Sequence, residues 1–417
     1  LVPLDLVGTL AAAGLVLFAG YALQRRVRPL ARYNVPAPVV GGLLVALAVT
    51  GLRAAGHQPV AFDTTLQTPL MIAFFTSIGF GASVPLLRSG GVAVLLFLGL
   101  ATVVAVVQNV VGAAVAAGLG VPPLLGVLAG SVTLTGGPAT GLAFAPLFEQ
   151  AGVKGAATLA LASAMVGIVA GGIIGGPIGT FLIERRRLRP AGRTTGPAHP
   201  EAVTAGEVVL ALEPPDPQPL PVAGEDRRAQ ALLKGVVALV SVMAVGSWLS
   251  AWLNHWLAKI GMTLPAYMGA MLAAAAARNL DDVTGWIRLP HRLLDDLGNA
   301  ALALFIVMAL MTLHLWEIAN LALPLAAILA VQVALITLLC FWPTFRLMGR
   351  DYDAAVMSSG FCGFMLGITA NALANMGALT EKYGPAPRAY LVVPMVGACF
   401  IDFTNAVIIT AFLNLWR

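Results

Sequence analysis

LLGVLAGSVTLTGGPATGLAFAPLFEQ, Leu124 to Gln150, is apolar at both ends and polar in the middle, where Ser131, Thr133, Thr135, Gly136, Gly137, Thr140 and Gly141 crowd together. A helix that crosses a bilayer needs about 20 apolar residues, and each arm here has about half of that, so the stretch reads as a re-entrant hairpin (122–150). Irregular backbone is tolerated at membrane depth only where it is buried in protein or lines a wet cavity. The tip is therefore a candidate site.

The rest of the chain agrees with a membrane setting. Of its 417 residues 59% are hydrophobic and only 10% charged, the composition of an all-α polytopic membrane protein. The net charge of +5 does not point to nucleic acid, because the basic residues sit in short loops between apolar blocks and form no patch. Cys340, Cys362 and Cys399 have no metal-type spacing and read as small packing residues. No HExxH, no paired metal-ligand cluster and no set of nucleophile, base and orienter is present, which argues against an enzyme.

Before the hairpin, apolar blocks run Leu6 to Leu23, Val35 to Leu52, Leu66 to Leu87 and Val92 to Leu119; after it comes Ala156 to Ile183. Asp5 precedes the first block and arginines follow it, the reverse of a secretory signal, so it reads as the first transmembrane helix. Residues 184–230, rich in arginine and proline, read as a solvated linker. Then the pattern starts again: Leu232 to Ile260, Leu264 to Leu280, Leu293 to Leu315, Leu321 to Leu347, a second polar-centred stretch at 353–381, and Arg388 to Leu415. Residues repeat too. Ala164-Met165-Val166-Gly167 aligns with Pro394-Met395-Val396-Gly397, Leu119-Gly120 with Met348-Gly349, and Gly41 to Leu44 with Gly269 to Leu272. The chain thus divides into an N-terminal repeat (1–183), the linker, and a C-terminal repeat (231–417), each with five crossings and one hairpin. An odd number of crossings inverts the second repeat, as in secondary transporters whose sites lie where the repeats meet.

With the N-terminus outside, the outer face receives only Arg53, Lys154, Lys259 and Arg417 of the 24 basic residues. The positive-inside rule then places both termini outside and the linker in the cytoplasm. The first hairpin enters from outside and the second, whose centre carries Thr369, Asn371 and Asn375, from inside. Half-helix N-termini offer N–H groups and a positive dipole end to anions, while unwound carbonyls coordinate cations. Small residues also permit close helix packing, and Gly130, Gly360 and Gly363 fit that role equally well.

Asp402 lies inside the last apolar block, with Asn405 one turn away on the same helix face. A carboxylate at that depth costs at least about 2.5 kcal/mol and faces a partner, a cavity or an ion. Asp402 and Asn405 are expected to hold a sodium ion or the ammonium group of a substrate. Gln108 and Asn109, mid-block, are weaker sodium candidates and, with Gln332, read equally as interhelical hydrogen-bond glue. His314, beside Trp316 and Glu317, reads as an interface residue.

Several stretches resemble the bacterial sodium/glutamate symporters: PAPVVGGLLVAL (Pro36 to Leu47), PLMIAFFTSIG (Pro69 to Gly79), GVLAGSVTLTGG (Gly126 to Gly137), GRDYDAAV (Gly349 to Val356), CGFMLG (Cys362 to Gly367), ANALANM (Ala370 to Met376) and LVVPMVGACFID (Leu391 to Asp402). The resemblance covers nearly the whole chain. It implies an inverted-repeat fold with two hairpins, a homodimer in the lipid of the bacterial inner membrane, sodium as the co-transported ion, glutamate uptake, and elevator-like movement of the hairpin-bearing part. The chain departs from the family pattern at both tips. Where the family reads Gly-Gly-His-Gly-Thr-Gly, this chain has Gly136-Gly137-Pro138-Ala139-Thr140-Gly141, and Phe361 replaces the histidine of Gly-His-Cys-Gly. Both changes are expected to make the site more apolar. The expected substrate ligands are Ser131, Thr133, Thr135, Gly136, Gly137, Thr140, Thr369, Asn371 and Asn375. A carrier of another small organic anion, or an anion channel, are the other readings.

Overall fold

The computed structural model describes residues 4–32, 35–55, 60–190, 224–257, 259, 264–285, 289–313 and 321–416. In chain order its main helices are α1 (Leu6–Arg26), α2 (Ala37–Ala54), α3 (Gln67–Gly81), α4 (Gly91–Gly118), the pair α5 (Pro123–Val127) and α6 (Gly137–Gln150), and α7 (Ala156–Arg186). The same order recurs as α8 (Gly224–Leu257), α9 (Ala266–Thr284), α10 (His291–Met311), α11 (Ala322–Leu339), the pair α12 (Tyr352–Met365) and α13 (Thr369–Tyr383), and a divided last helix, α14 (Pro387–Met395) and α15 (Ile401–Leu415). Among the described residues six helices are long and apolar enough to cross a membrane: α1, α4, α7, α8, α10, and α11 with its extension to Leu347. The paired helices are shorter. With 14 residues in α6 and α12 and 15 in α13, they reach about 21 to 23 Å at 1.5 Å per residue, less than a hydrocarbon core of about 30 Å.

Three blocks expected as single crossings are divided. Leu66 to Leu87 stops being α3 at Gly81, because Ser83 caps a separate short helix, Val84–Ser89, accepting from the Leu86 N–H at 3.3 Å, with Pro85 in its first turn. A π turn around Pro343 interrupts Leu321 to Leu347 at Cys340–Thr344. Another, at Val396–Phe400, follows Pro394 and divides Arg388 to Leu415. The first reflects a proline that cannot donate to the helix ladder; the second begins two residues past Pro394 and contains Gly397. The linker is shorter than expected at each end, since α7 runs to Arg186 and α8 begins at Gly224. Its centre, 191–223, and the segment holding His314, Trp316 and Glu317 lie outside the described residues.

The helices sort into two groups by what they pack against: α1, α2, α3, α8, α9 and α10 in one, α4 to α7 with α11 to α15 in the other. Across the seam the main meetings are α10 with α6, and α3 with residues 396–415. Within the first group, close approach rests on glycine. A Cβ on Gly41 would lie 2.3 Å from the Val16 carbonyl oxygen, and one on Gly269 would lie 2.3 Å from that of Gly246. The α1–α2 and α8–α9 crossings therefore use positions 230 and 228 residues apart (246 − 16 and 269 − 41).

In the second group α5 lies against α4 at Gly126 and Gly112, where a Cβ on Gly126 would come within 1.9 Å of the Gly112 oxygen. Gly126→Ala is expected to destabilise the protein by about 1–3 kcal/mol, the usual cost of overpacking, seen as a lower melting temperature in detergent. Gly176→Ala, whose Cβ would meet nothing within 4 Å, should not lower it.

Candidate functional site

The first hairpin breaks where its glycines stand. Gly130 leaves helical geometry (φ −99°, ψ −131°) inside a π turn at Leu128–Val132. The Ser131 carbonyl then accepts from the Thr135 and Gly136 N–H groups at 3.2 and 3.0 Å, closing the turn. Gly137 takes φ +68°, a left-handed conformation that suits glycine, and Pro138 opens α6, where its missing N–H costs nothing. The second hairpin turns at Leu366–Ile368, with Ile368 extended before α13. The tips touch: a Cβ on Gly137 would lie 3.2 Å from Ile368 Cγ2.

Beside the tips is a cavity of about 340 Å³ on the seam between the two helix groups. The hairpins line it with Thr135, Gly136, Pro138, Ala139, Phe364, Gly367, Ile368 and Thr369, the last helix with Gly397 and Asp402, and the other group with Tyr21, Phe74, Asn299 and Ile306 among others. The N-terminal turns of α6 and α13 both reach it, and such termini present free N–H donors and a positive dipole end. Asp402 supplies the opposite charge. It is half-buried and has no hydrogen bond or ion pair among the described residues. A second cavity, of about 270 Å³, lies further along the same seam between Gln67, Met71, Pro146, Glu149, Phe305 and Thr312.

Of the nine expected substrate ligands, the cavity receives Thr135, Gly136 and Thr369. Gly137 is at the contact between tips, and Thr140 packs beneath Gly136. The other four are buried behind the tips and bonded to carbonyls or amides. Thr133 Oγ1 donates to the Leu128 oxygen at 2.8 Å, Asn371 Nδ2 to Ile168 at 2.7 Å and Asn375 Nδ2 to Gly171 at 2.9 Å. The Ser131 N–H donates to Asn109 Oδ1 at 2.9 Å, and its carbonyl also accepts from Asn405 Nδ2 at 3.0 Å. Asn405 and Asn109 thus converge on Ser131, whereas Asp402, one turn from Asn405, faces the cavity.

Gln108 ties the two hairpins together. Its Oε1 accepts from Thr135 Oγ1 at 2.7 Å, its Nε2 donates to the Met365 carbonyl at 3.0 Å, and its own carbonyl accepts from Gln332 Nε2 at 2.6 Å. The glue role expected of these glutamines is what the geometry gives them. Phe361 is fully buried and packs with Phe97 and Phe364, ring centroids 5.4 Å away in each case. It does not line the cavity, so of the two replaced histidines only Pro138 alters the surface a solute meets. Sequence reasoning passed over Tyr21, Phe74 and Ile306, which look like ordinary span residues; Asn299, a polar residue within an apolar helix, carried a readable signal.

Among the described residues no three His, Cys, Asp or Glu side chains gather as a metal site, and Cys340 and Cys362 are buried and unpaired. Apolar spans, two pairs of short helices and a polar cavity at their tips mark a polytopic membrane protein with an interior site, an arrangement that suits a transporter. The family model of the sodium/glutamate symporter matches residues 2–385. The sodium/glutamate symporter of Escherichia coli (strain K12) is 41% identical over 413 residues, 99% of this chain and 98% of that protein. That of Haemophilus influenzae (strain ATCC 51907 / DSM 11121 / KW20 / Rd) is 38% identical over 402 residues, 96% of this chain and 95% of that protein. The chain belongs to the sodium/glutamate symporter family.

Gln108→Ala removes two bonds and leaves Thr135 Oγ1 and the Met365 carbonyl to find other partners. Each buried polar group left unsatisfied costs about 1–3 kcal/mol, so the variant should melt lower than wild type. Thr133→Ala, which deletes one local bond inside the first hairpin, should lose less.

Proposed function

We propose that this protein drives glutamate into the cell with sodium across the bacterial inner membrane, by alternating access. One observation carries the reading: the cavity combines two helix N-termini, which suit carboxylates, with an unpartnered carboxylate, Asp402, which suits an ammonium group. An acidic amino acid has both kinds of group. Thr135 and Thr369 line the two tips with hydroxyls whose protons go to Gln108 Oε1 and the Gly397 carbonyl, both at 2.7 Å, leaving their oxygens to accept, and the backbone around Gly136 approaches without a side chain. The relatives' name, sodium/glutamate symporter, supports both the ion and the solute.

The two halves act as inverted repeats. Support comes from the recurring element order and from the α1–α2 and α8–α9 crossings, which use matching positions. Both termini lie on the periplasmic side and the linker in the cytoplasm, as the basic residues indicate. In this orientation the larger cavity, near Tyr21, Pro36 and Pro38, faces inward, and the smaller one, near Glu149 and Thr312, lies on the outer side of the tips. Two spaces along one seam are what a carrier needs if the hairpin-bearing group moves past the other like an elevator. The family resemblance adds a homodimer seated in lipid.

Pro138 supports a second reading, a carrier of another small organic anion, because it lines the cavity where the family pattern has a histidine donor. Competition by dicarboxylates and amino acids against labelled glutamate in proteoliposomes separates the two. Glutamate should compete best, and dicarboxylates lacking an amino group should compete poorly. Equal competition by those dicarboxylates would remove the ammonium role of Asp402 and favour the second reading. Asp402→Asn should lower kcat/KM for glutamate at least about tenfold, as expected for losing a charge-assisted contact. An unchanged rate and sodium dependence in that variant would overturn the assignment.

A further inference from the structure

At the unwound turn of the first hairpin three fully buried polar residues meet, none of them lining the cavity: Asn109, Ser131 and Asn405. Their bonding fixes which atoms are left over. The Ser131 carbonyl can only accept, so the Asn405 group bonded to it at 3.0 Å is Nδ2, and Asn405 Oδ1 points elsewhere with no partner. The Ser131 N–H can only donate, so the Asn109 atom facing it at 2.9 Å is Oδ1. Ser131 Oγ is also without a partner. Three buried atoms are therefore unsatisfied beside a segment whose main chain has left helical geometry at Gly130: two oxygens, one hydroxyl and one amide, and the amide nitrogen Asn109 Nδ2. Native proteins rarely leave buried polar atoms bare, and each such case calls for a water, an ion or a function.

We propose that this pocket is a sodium site, distinct from the substrate cavity, with Ser131 Oγ and Asn405 Oδ1 as side-chain ligands and carbonyl oxygens of the unwound 128–132 turn completing it. The inference rests on the sodium-coupled reading above and deepens it. The donor set is all oxygen and all neutral, which suits a hard monovalent cation; a divalent ion calls for carboxylates. Asn109 is a positioning residue here, since its oxygen is spent on holding the Ser131 main chain. Coupling follows from placement. The segment that would wrap the ion runs four residues on to Thr135 at the cavity, and the helix that carries Asn405 carries Asp402 one turn earlier. Filling the pocket would order both walls of the substrate site.

The test is a sodium titration of the melting temperature of the purified full chain in detergent without glutamate, with potassium chloride holding ionic strength constant. Wild type should be stabilised by sodium and not by potassium. In Ser131→Ala the half-saturating sodium concentration should rise at least about tenfold, and Asn405→Ala should behave alike; effects of that size accompany loss of a metal's neighbours. If Ser131→Ala does not fold, Ser131→Cys keeps the volume and replaces the oxygen by a poor sodium ligand. Thr135→Ala, which removes a hydroxyl bonded to Gln108 and beside the cavity but leaves Ser131, Asn109 and Asn405 in place, should keep the sodium response while weakening glutamate uptake. No sodium stabilisation of wild type, or an unchanged response in both Ser131→Ala and Asn405→Ala, would overturn the site and leave a water pocket. A protein that binds sodium here yet takes up no glutamate would instead sink the substrate assignment and leave this site standing.

Discussion

Both ends of the Gln108 side-chain amide are spent on backbone-proximal groups of the two hairpins, and its own carbonyl is held by Gln332. The reason lies in the solvent. In hydrocarbon an unpaired N–H or C=O costs several kcal/mol, so a helix can stop halfway across a membrane only if other protein groups take over its bonds. Neighbouring helices make such bonds here. α4 gives Gln108 and Asn109 to the hairpins, α7 gives the carbonyls of Ile168 and Gly171 to Asn371 and Asn375, and α15 gives Asn405. The positions of these amides decide where the backbone may open.

The same arrangement divides the polar residues into two populations. Those behind the tips each bond a main-chain group and so hold shape, although Asn109, Ser131, Asn371 and Asn405 each keep one buried side-chain atom without a partner. Those in front, Thr135, Thr369 and Asp402, are turned to a cavity. One helix serves both sides, because Asp402 and Asn405 are a turn apart yet face different spaces. That proximity gives a short physical path between an ion bound behind a tip and a solute bound in front of it.

The hairpins were legible because an apolar block with a polar centre is too short on each side to span. Asp402 stood out as an ionisable residue inside an apolar block, and it lines the cavity. Composition could not show which way each hydroxyl turns: Ser131, Thr133 and Thr135 are alike in the sequence, and only Thr135 lines the cavity, because a π turn with a non-helical Gly130 redirects the chain between them. The breaks at Ala82 and at Val396–Phe400 were hidden for a related reason. Apolar content continues through both, so a hydropathy reading joins what the Ser83 cap and the 396–400 π turn separate. Phe361 marks the converse limit, since a residue aligned with a tip motif lies in an aromatic core instead.

The seam between the two helix groups has a consequence of its own. The bonds of Gln108, Gln332, Asn371, Asn375 and Asn405 all stay inside one group, as those of Arg278 to Asp282 and to the Phe80 carbonyl stay inside the other. Cross-seam packing such as the edge-to-face pair Phe144–Tyr267, 5.4 Å between centroids, involves no hydrogen bond. Dispersion attraction given up at one offset is recovered at the next. Under the proposed movement, neighbouring offsets would then be close in free energy, and the modest differential affinity of an ion and a solute would suffice to choose among them.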